Sequence, residues 1–161
     1  MALTNDDAVS ERRPDIVLVR PRDLSAVPAD APVQDPLGVG LLAAGLRQKG
    51  YDILILDAHA LGLDDGGLVA CLAELRAPIV GLSLHSFSDY AHCTAISRSL
   101  RELPEPPYCI WGGEHATFHA ERILRQHPEV DAVVMGEGEE TVAELAERLL
   151  RSPGAARPWL L

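Results

Sequence analysis

Five short apolar runs, separated by stretches that carry helix signals, most constrain what this chain can fold into. They read IVLVR (16–20), DILILD (52–57), IVGLSL (79–84), YCIW (108–111) and DAVVM (131–135). Each is continuously apolar and rich in Ile, Val and Leu, as a strand covered on both faces should be. Between and after them lie helical segments expected at 36–49, 65–76, 88–102, 118–127 and 139–151. Asp35-Pro36 offers a cap followed by proline at the first helical position, and Gly50 supplies a stop. Ser88 is placed to cap the third helix, and Glu139 and Glu140 fall in the first turn of the last, where carboxylates favour the helix dipole.

Strict alternation of strand and helix predicts an α/β fold with a parallel sheet and helices on both faces. The commonest five-stranded solution is flavodoxin-like (Rossmann-like), strand order 2-1-3-4-5, with a crevice at the carboxyl ends of strands 1 and 3. A chain of 161 residues suits one such domain. Residues 1–13 read as a flexible N-terminus, 14–152 as the domain and 153–161 as a tail.

Composition narrows the partners. A formal net charge of −10 opposes a nucleic-acid backbone or an anionic membrane surface. No apolar run approaches a membrane span, and the polar, acidic N-terminus lacks the apolar core of a signal peptide. Cys71, Cys93 and Cys109 stand 22 and 16 residues apart, so the spacing of a zinc knuckle or an iron–sulfur loop is not written here. Buried free thiols are the simpler reading, and with them a reducing cytoplasm is expected.

The segments that follow the strands carry the candidate site. After strand 1 comes RPRDLSAVPADAPVQDP (20–36), punctuated by Pro21, Pro28, Pro32 and Pro36 and far longer than an ordinary βα connection. After strand 3 comes LHSFSDY (84–90), after strand 4 GGEHATF (112–118), and after strand 5 GEGEE (136–140). Glycines at strand ends let backbone approach a ligand closely.

Taken together, PLGVGLLAAGLRQKGYDILILDA (36–58), IVGLSLHSF (79–87), GGEHATFHAERIL (112–124) and VDAVVMGEGEETVAEL (130–145) closely resemble the N-terminal cobalamin (B12)-binding domain of cobalamin-dependent radical SAM enzymes. The resemblance covers about residues 14–150. It implies a flavodoxin-like domain with cobalamin across the carboxyl ends of the strands. It implies contacts from Ser83, Leu84, His85 and Ser86 after strand 3, from Gly112, Gly113, His115 and Thr117 after strand 4, and from Gly136, Glu137 and Gly138 after strand 5. No catalytic residue and no metal ligand is assigned. Gly112-Gly113 can also serve as a tight strand-to-helix turn, Thr117 as the cap of the fourth helix, and Glu139 as part of a helix start.

In that family a following barrel carries C-x-x-x-C-x-x-C for an iron–sulfur cluster and S-adenosylmethionine, and these cysteines cannot supply that loop. The implied function is a cobalamin-binding module carrying a corrinoid for a radical SAM methyl transfer with a partner protein. The alternative is an interaction module that keeps the fold without the cofactor. Catalysis by this chain alone is the weakest reading, because no nucleophile–base pair is spelled out.

Asp57-Ala58-His59-Ala60-Leu61-Gly62 spells D-x-H-x-x-G, the pattern whose histidine ligates cobalt from below in the related methionine-synthase type of domain. There it follows strand 1. Here it follows strand 2, an edge strand in the expected order, while the loop after strand 1 contains no histidine. His59 is therefore expected to form a surface turn. Many members of the resembled family also lack the ligand. Ser83 falls loosely at that type's S-x-L position, and Gly112-Gly113 falls at its G-G position.

Other flavodoxin-like functions fit poorly. A phosphorelay receiver needs an aspartate ending strand 3 and a lysine after strand 5, where LHS and GEG stand. A flavodoxin needs a short phosphate loop where the proline-rich segment lies. Gly38, Gly40 and Gly45 do not have dinucleotide-fingerprint spacing.

Overall fold

The computed structural model describes residues 13–22, 36–151 and 159–160. Five parallel strands, β1 (Ile16–Arg20), β2 (Ile53–Asp57), β3 (Ile79–Ser83), β4 (Tyr108–Gly112) and β5 (Ala132–Val133), stand in the order β2-β1-β3-β4-β5. This is the expected topology. A two-residue strand, β6 (Trp159–Leu160), adds beyond β5 in parallel, pairing Ala132 with Trp159 and Val133 with Leu160. Among the described residues no helix is long and apolar enough to cross a membrane.

Side chains alternate across the sheet with period two. Val17, Val19, Leu82 and Trp111 pack on one face beneath α2 (Asp65–Leu75), α3 (Phe87–Arg101) and α4 (Glu114–Gln126). Ile16, Leu18 and Ile110 pack on the other beneath α1 (Leu37–Gln48) and α5 (Glu139–Arg151). Each such buried aliphatic side chain contributes about 1.5–3 kcal/mol. Trp111 is fully buried, and its indole N–H donates to Ser97 Oγ at 2.9 Å, which satisfies a donor that would otherwise be costly to bury. The buried carboxylate of Asp131 accepts from Arg101 at 2.9 Å and from the Cys109 N–H at 2.8 Å, tying α3 to the β4–β5 pair. All three cysteines are free. Cys93 and Cys109 are buried and Cys71 is half-buried. Burial first of all pushes the Cys109 thiol up to about 12.

Three boundary expectations change. Helix α1 starts at Leu37 with Pro36 as its cap, and Asp35 lies outside the described residues. Helix α3 is capped by Ser86, not Ser88. Ser86 has the last extended backbone (φ −130°, ψ 169°), and the Asp89 carboxylate three residues on accepts from its N–H at 2.8 Å, a capping box. Helix α4 starts at Glu114, four residues earlier than expected, with Gly113 as cap. Within it the chain leaves helical geometry once, at His119 (φ −123°, ψ 16°).

Candidate functional site

The carboxyl ends of β1, β3, β4 and β5 open into a cavity of about 710 Å³, within the usual range for small-molecule sites. Three turns build its mouth. After β3, Asp89 accepts from the N–H groups of His85 (3.1 Å) and Ser86 (2.8 Å) and from the Ser86 hydroxyl (3.1 Å). One buried carboxylate thus sets the entire turn, and it lies on the cavity wall. After β4, Gly113 turns the chain with φ +104°, and a Cβ there would stand 2.8 Å from the Leu84 carbonyl oxygen. After β5, Gly136 has φ +68° and donates its N–H to Thr117 Oγ1 at 3.0 Å.

Below the mouth the cavity continues as an apolar slot between the sheet and the pair α1 and α5. Leu18 and Ile110 form its floor, and Val39, Leu42 and Val142 form its roof. Rim residues are polar: Ser83, Ser86, Arg20 and the carboxylates Glu114, Glu137 and Glu139. The Arg20 guanidinium is bonded to Asp57 at 3.2 Å, which fixes its position beside the mouth. Arg22 lies instead in a separate small hollow with Asp64, Asp65 and His92.

Of the residues singled out from the sequence, Ser83, His85, Ser86, Gly112, Gly113, Gly136, Glu137 and Gly138 line the cavity together. Leu84 does not; it is fully buried in the core on the opposite face, and its carbonyl backs Gly113. His115 also lies off the wall, in a ring cluster with Phe87, Tyr90 and His119. Burial, and then the His119 imidazole, hold His115 below the ordinary histidine value, against an opposing pull from Asp89. Thr117 is not a cap. Its hydroxyl donates to the Gly113 carbonyl at 3.0 Å and accepts from Gly136, so it stitches two mouth turns together. Among the described residues no group of three His, Cys, Asp or Glu side chains converges on a metal position.

Sequence reasoning missed Asp89 and the slot. The pattern Ser86-x-x-Asp89 was the available signal for the first. The second has none in sequence, because its walls come from four separate elements, β1, β4, α1 and α5.

His59 does not line the cavity. It lies in the turn after β2, which is the edge strand. Its Nδ1 is buried without a hydrogen-bond partner among the described residues.

The residues present fit a corrinoid. The backbone at Gly112 and Gly136 is open to the cavity, hydroxyls stand at the rim for amide and phosphate groups, and the apolar compartment lined by Leu18, Ile110, Leu42 and Val142 is free of charge. Comparison with known proteins agrees. A family model, the B12 binding domain, matches residues 30–146. An uncharacterised methyltransferase of Pyrococcus horikoshii is 32% identical over 114 residues, covering 71% of this chain and 24% of that protein. The anaerobic magnesium-protoporphyrin IX monomethyl ester cyclase of Synechocystis is 34% identical over 116 residues, covering 71% and 23%. The cobalamin-dependent S-adenosylmethionine radical enzyme OxsB, solved with aqua-cobalamin and S-adenosylmethionine bound, shares the fold at a TM-score of 0.70 and 20% identity, over 86% of this chain and 19% of that one. The chain thus spans about a quarter of the length of the curated relatives it matches. With its sheet order, its glycine-lined mouth and the family match in agreement, the chain belongs to the B12-binding domain family.

Proposed function

We propose that this chain is a cobalamin-binding module that carries its corrinoid for a methyl transfer completed with a radical SAM partner. The observation that carries the reading is the cavity itself: a polar, glycine-rich mouth above a deep apolar slot, at the switch point of a B12-binding fold. When bound, cobalamin supplies a cobalt centre able to carry a methyl group between a donor and an acceptor. The chain's own residues bind and orient. Glycine backbone and the Ser83 and Ser86 hydroxyls would meet the amides and phosphate of the nucleotide tail, and the slot would receive its apolar part. The methyltransferase and radical-enzyme names of the relatives support the assignment of the wider reaction.

Reconstitution with hydroxocobalamin, desalting and an ultraviolet–visible spectrum tests this. Retained corrinoid at close to one equivalent is expected. A colourless protein would leave the fold serving as a cofactor-free interaction module. For the partner, co-purification with a candidate radical SAM protein should depend on the loaded form.

A further inference from the structure

The stretch HATFH (115–119) places two histidines four residues apart near the start of α4. On a helix that spacing brings side chains to one face, and two histidines so placed can share a metal ion. The structure brings these two rings together: their centres are 4.5 Å apart and their planes are inclined by 51°. They meet even though the chain leaves helical geometry at His119. Both residues are half-buried, so solvent reaches them. Among the described residues the contacts of the two imidazoles are ring contacts, from Phe87 and Tyr90 to His115 and between the histidines themselves, so no hydrogen bond engages the ring nitrogens. The pair stands off the cavity wall, but its helix begins there, since Gly113 and Glu114 line the mouth.

The separation has a chemical meaning. An imidazole nitrogen binds a divalent transition metal at about 2.0–2.1 Å, which puts each ring centre about 3.2 Å from the ion. Two rings at right angles about one ion then have centres about 4.5 Å apart, whereas two rings at a tetrahedral angle would stand about 5.2 Å apart. Right-angle nitrogen donors belong to square-planar and octahedral ions.

We propose that His115 and His119 form a two-histidine chelate for Cu(II) or Ni(II), held in neighbouring positions of the ion with water in the others. Imidazole suits both ions, and Cu(II) stands above Ni(II) in the general order of affinity. The site uses no residue of the cavity wall and does not depend on the corrinoid. An ion bound there ties His115, two residues after the cap Gly113, to the point where the helix departs from regular geometry. Occupancy therefore stiffens the start of α4, the same segment that borders the mouth.

The test uses the full chain without an affinity tag. Calorimetric titration with copper(II) and nickel(II) chloride should show one ion bound, Cu(II) the more tightly. Electron paramagnetic resonance of the Cu(II) form should show coupling to two nitrogens. His115→Ala, His119→Ala and His119→Gln, each checked for native circular dichroism, should weaken Cu(II) by at least about tenfold and remove one nitrogen from the spectrum. His92→Ala should bind as the parent does, because that ring lies on α3 and is bonded to Asp65. Saturating Ni(II) should raise the thermal midpoint of the parent and leave that of His119→Gln unmoved, since only binding to the folded chain stabilises it. Unchanged Cu(II) affinity with a two-nitrogen spectrum in either the His115 or the His119 variants would overturn the site. So would a parent that binds neither ion, or binding that is lost with His92→Ala.

Discussion

Thr117 and Gly136, nineteen residues apart, are joined by a single hydroxyl: Thr117 Oγ1 accepts the Gly136 N–H at 3.0 Å while donating to the Gly113 carbonyl, also at 3.0 Å. The bond fixes the turn after β5 against the first turn of α4, and both turns border the cavity. Thr117→Val keeps the shape and removes the hydroxyl. The hydrogen bonds are exposed, so a loss of about 0.5–1.5 kcal/mol is expected in urea unfolding, together with weaker retention of cobalamin. Unchanged retention would show that the stitch serves the fold alone.

Gly112 and Gly113 are adjacent but do different things. A side chain at Gly113 would strike the Leu84 carbonyl oxygen at 2.8 Å and would have to hold φ +104°. At Gly112 a Cβ meets nothing closer than the Val134 carbonyl at 3.9 Å, and the position borders the cavity. Gly113→Val should therefore lower the urea midpoint markedly, by an amount corresponding to about 1–3 kcal/mol. Gly112→Val should leave the midpoint within about 0.5 kcal/mol of the parent and lose cobalamin. If Gly112→Val retains the corrinoid as well as the parent, the site is misplaced.

His59 and His85 make a matched pair. His59 sits beyond the edge strand β2 and away from the cavity wall, whereas His85 lines the mouth after β3. His59→Ala should change neither the cobalt spectrum nor binding, and His85→Ala should have the larger effect of the two. Electron paramagnetic resonance of the Co(II) form decides it. Nitrogen superhyperfine coupling present in the parent and lost in His59→Ala would make D-x-H-x-x-G the true ligand motif.

Acid sensitivity should trace in part to Glu129. Burial alone would raise its carboxyl, but the hydrogen bond from His127 (2.9 Å), its own backbone, and the charges of His127 and Arg98 outweigh that and hold it below the ordinary glutamate value of 4.5. A carboxyl depressed in the folded state contributes stability that is fully present above 4.5 and is lost as pH falls through the lower folded value. Glu129→Gln should be less stable at neutral pH and should flatten the fall in stability below about pH 4.5. An equally steep acid limb in the variant would assign the effect to other carboxylates.

The strands, their parallel order and most helix boundaries were legible in the chain, because they rest on local properties. A run such as IVLVR, short and rich in β-branched residues, favours a strand covered on both faces, and alternation with helices leaves few topologies. The motifs GGEHATF and GEGE were legible for the same reason, being contiguous and set at strand ends. Helix starts were read less well. Ser86 and Gly113 became caps through their backbone angles, which Ser88 and Thr117 equally advertise by residue type. Tertiary structure alone decided the rest. That Thr117 reaches Gly136, that Leu84 turns to the opposite face, and that His115 leaves the cavity for the rings of Phe87 and Tyr90 all depend on where β3, β4 and β5 end relative to one another. So does the floor of the slot. Leu18, Gly81 and Ile110 are separated by 63 and 29 positions and become neighbours only through strand register, a property of pairs of strands that no single stretch of sequence carries.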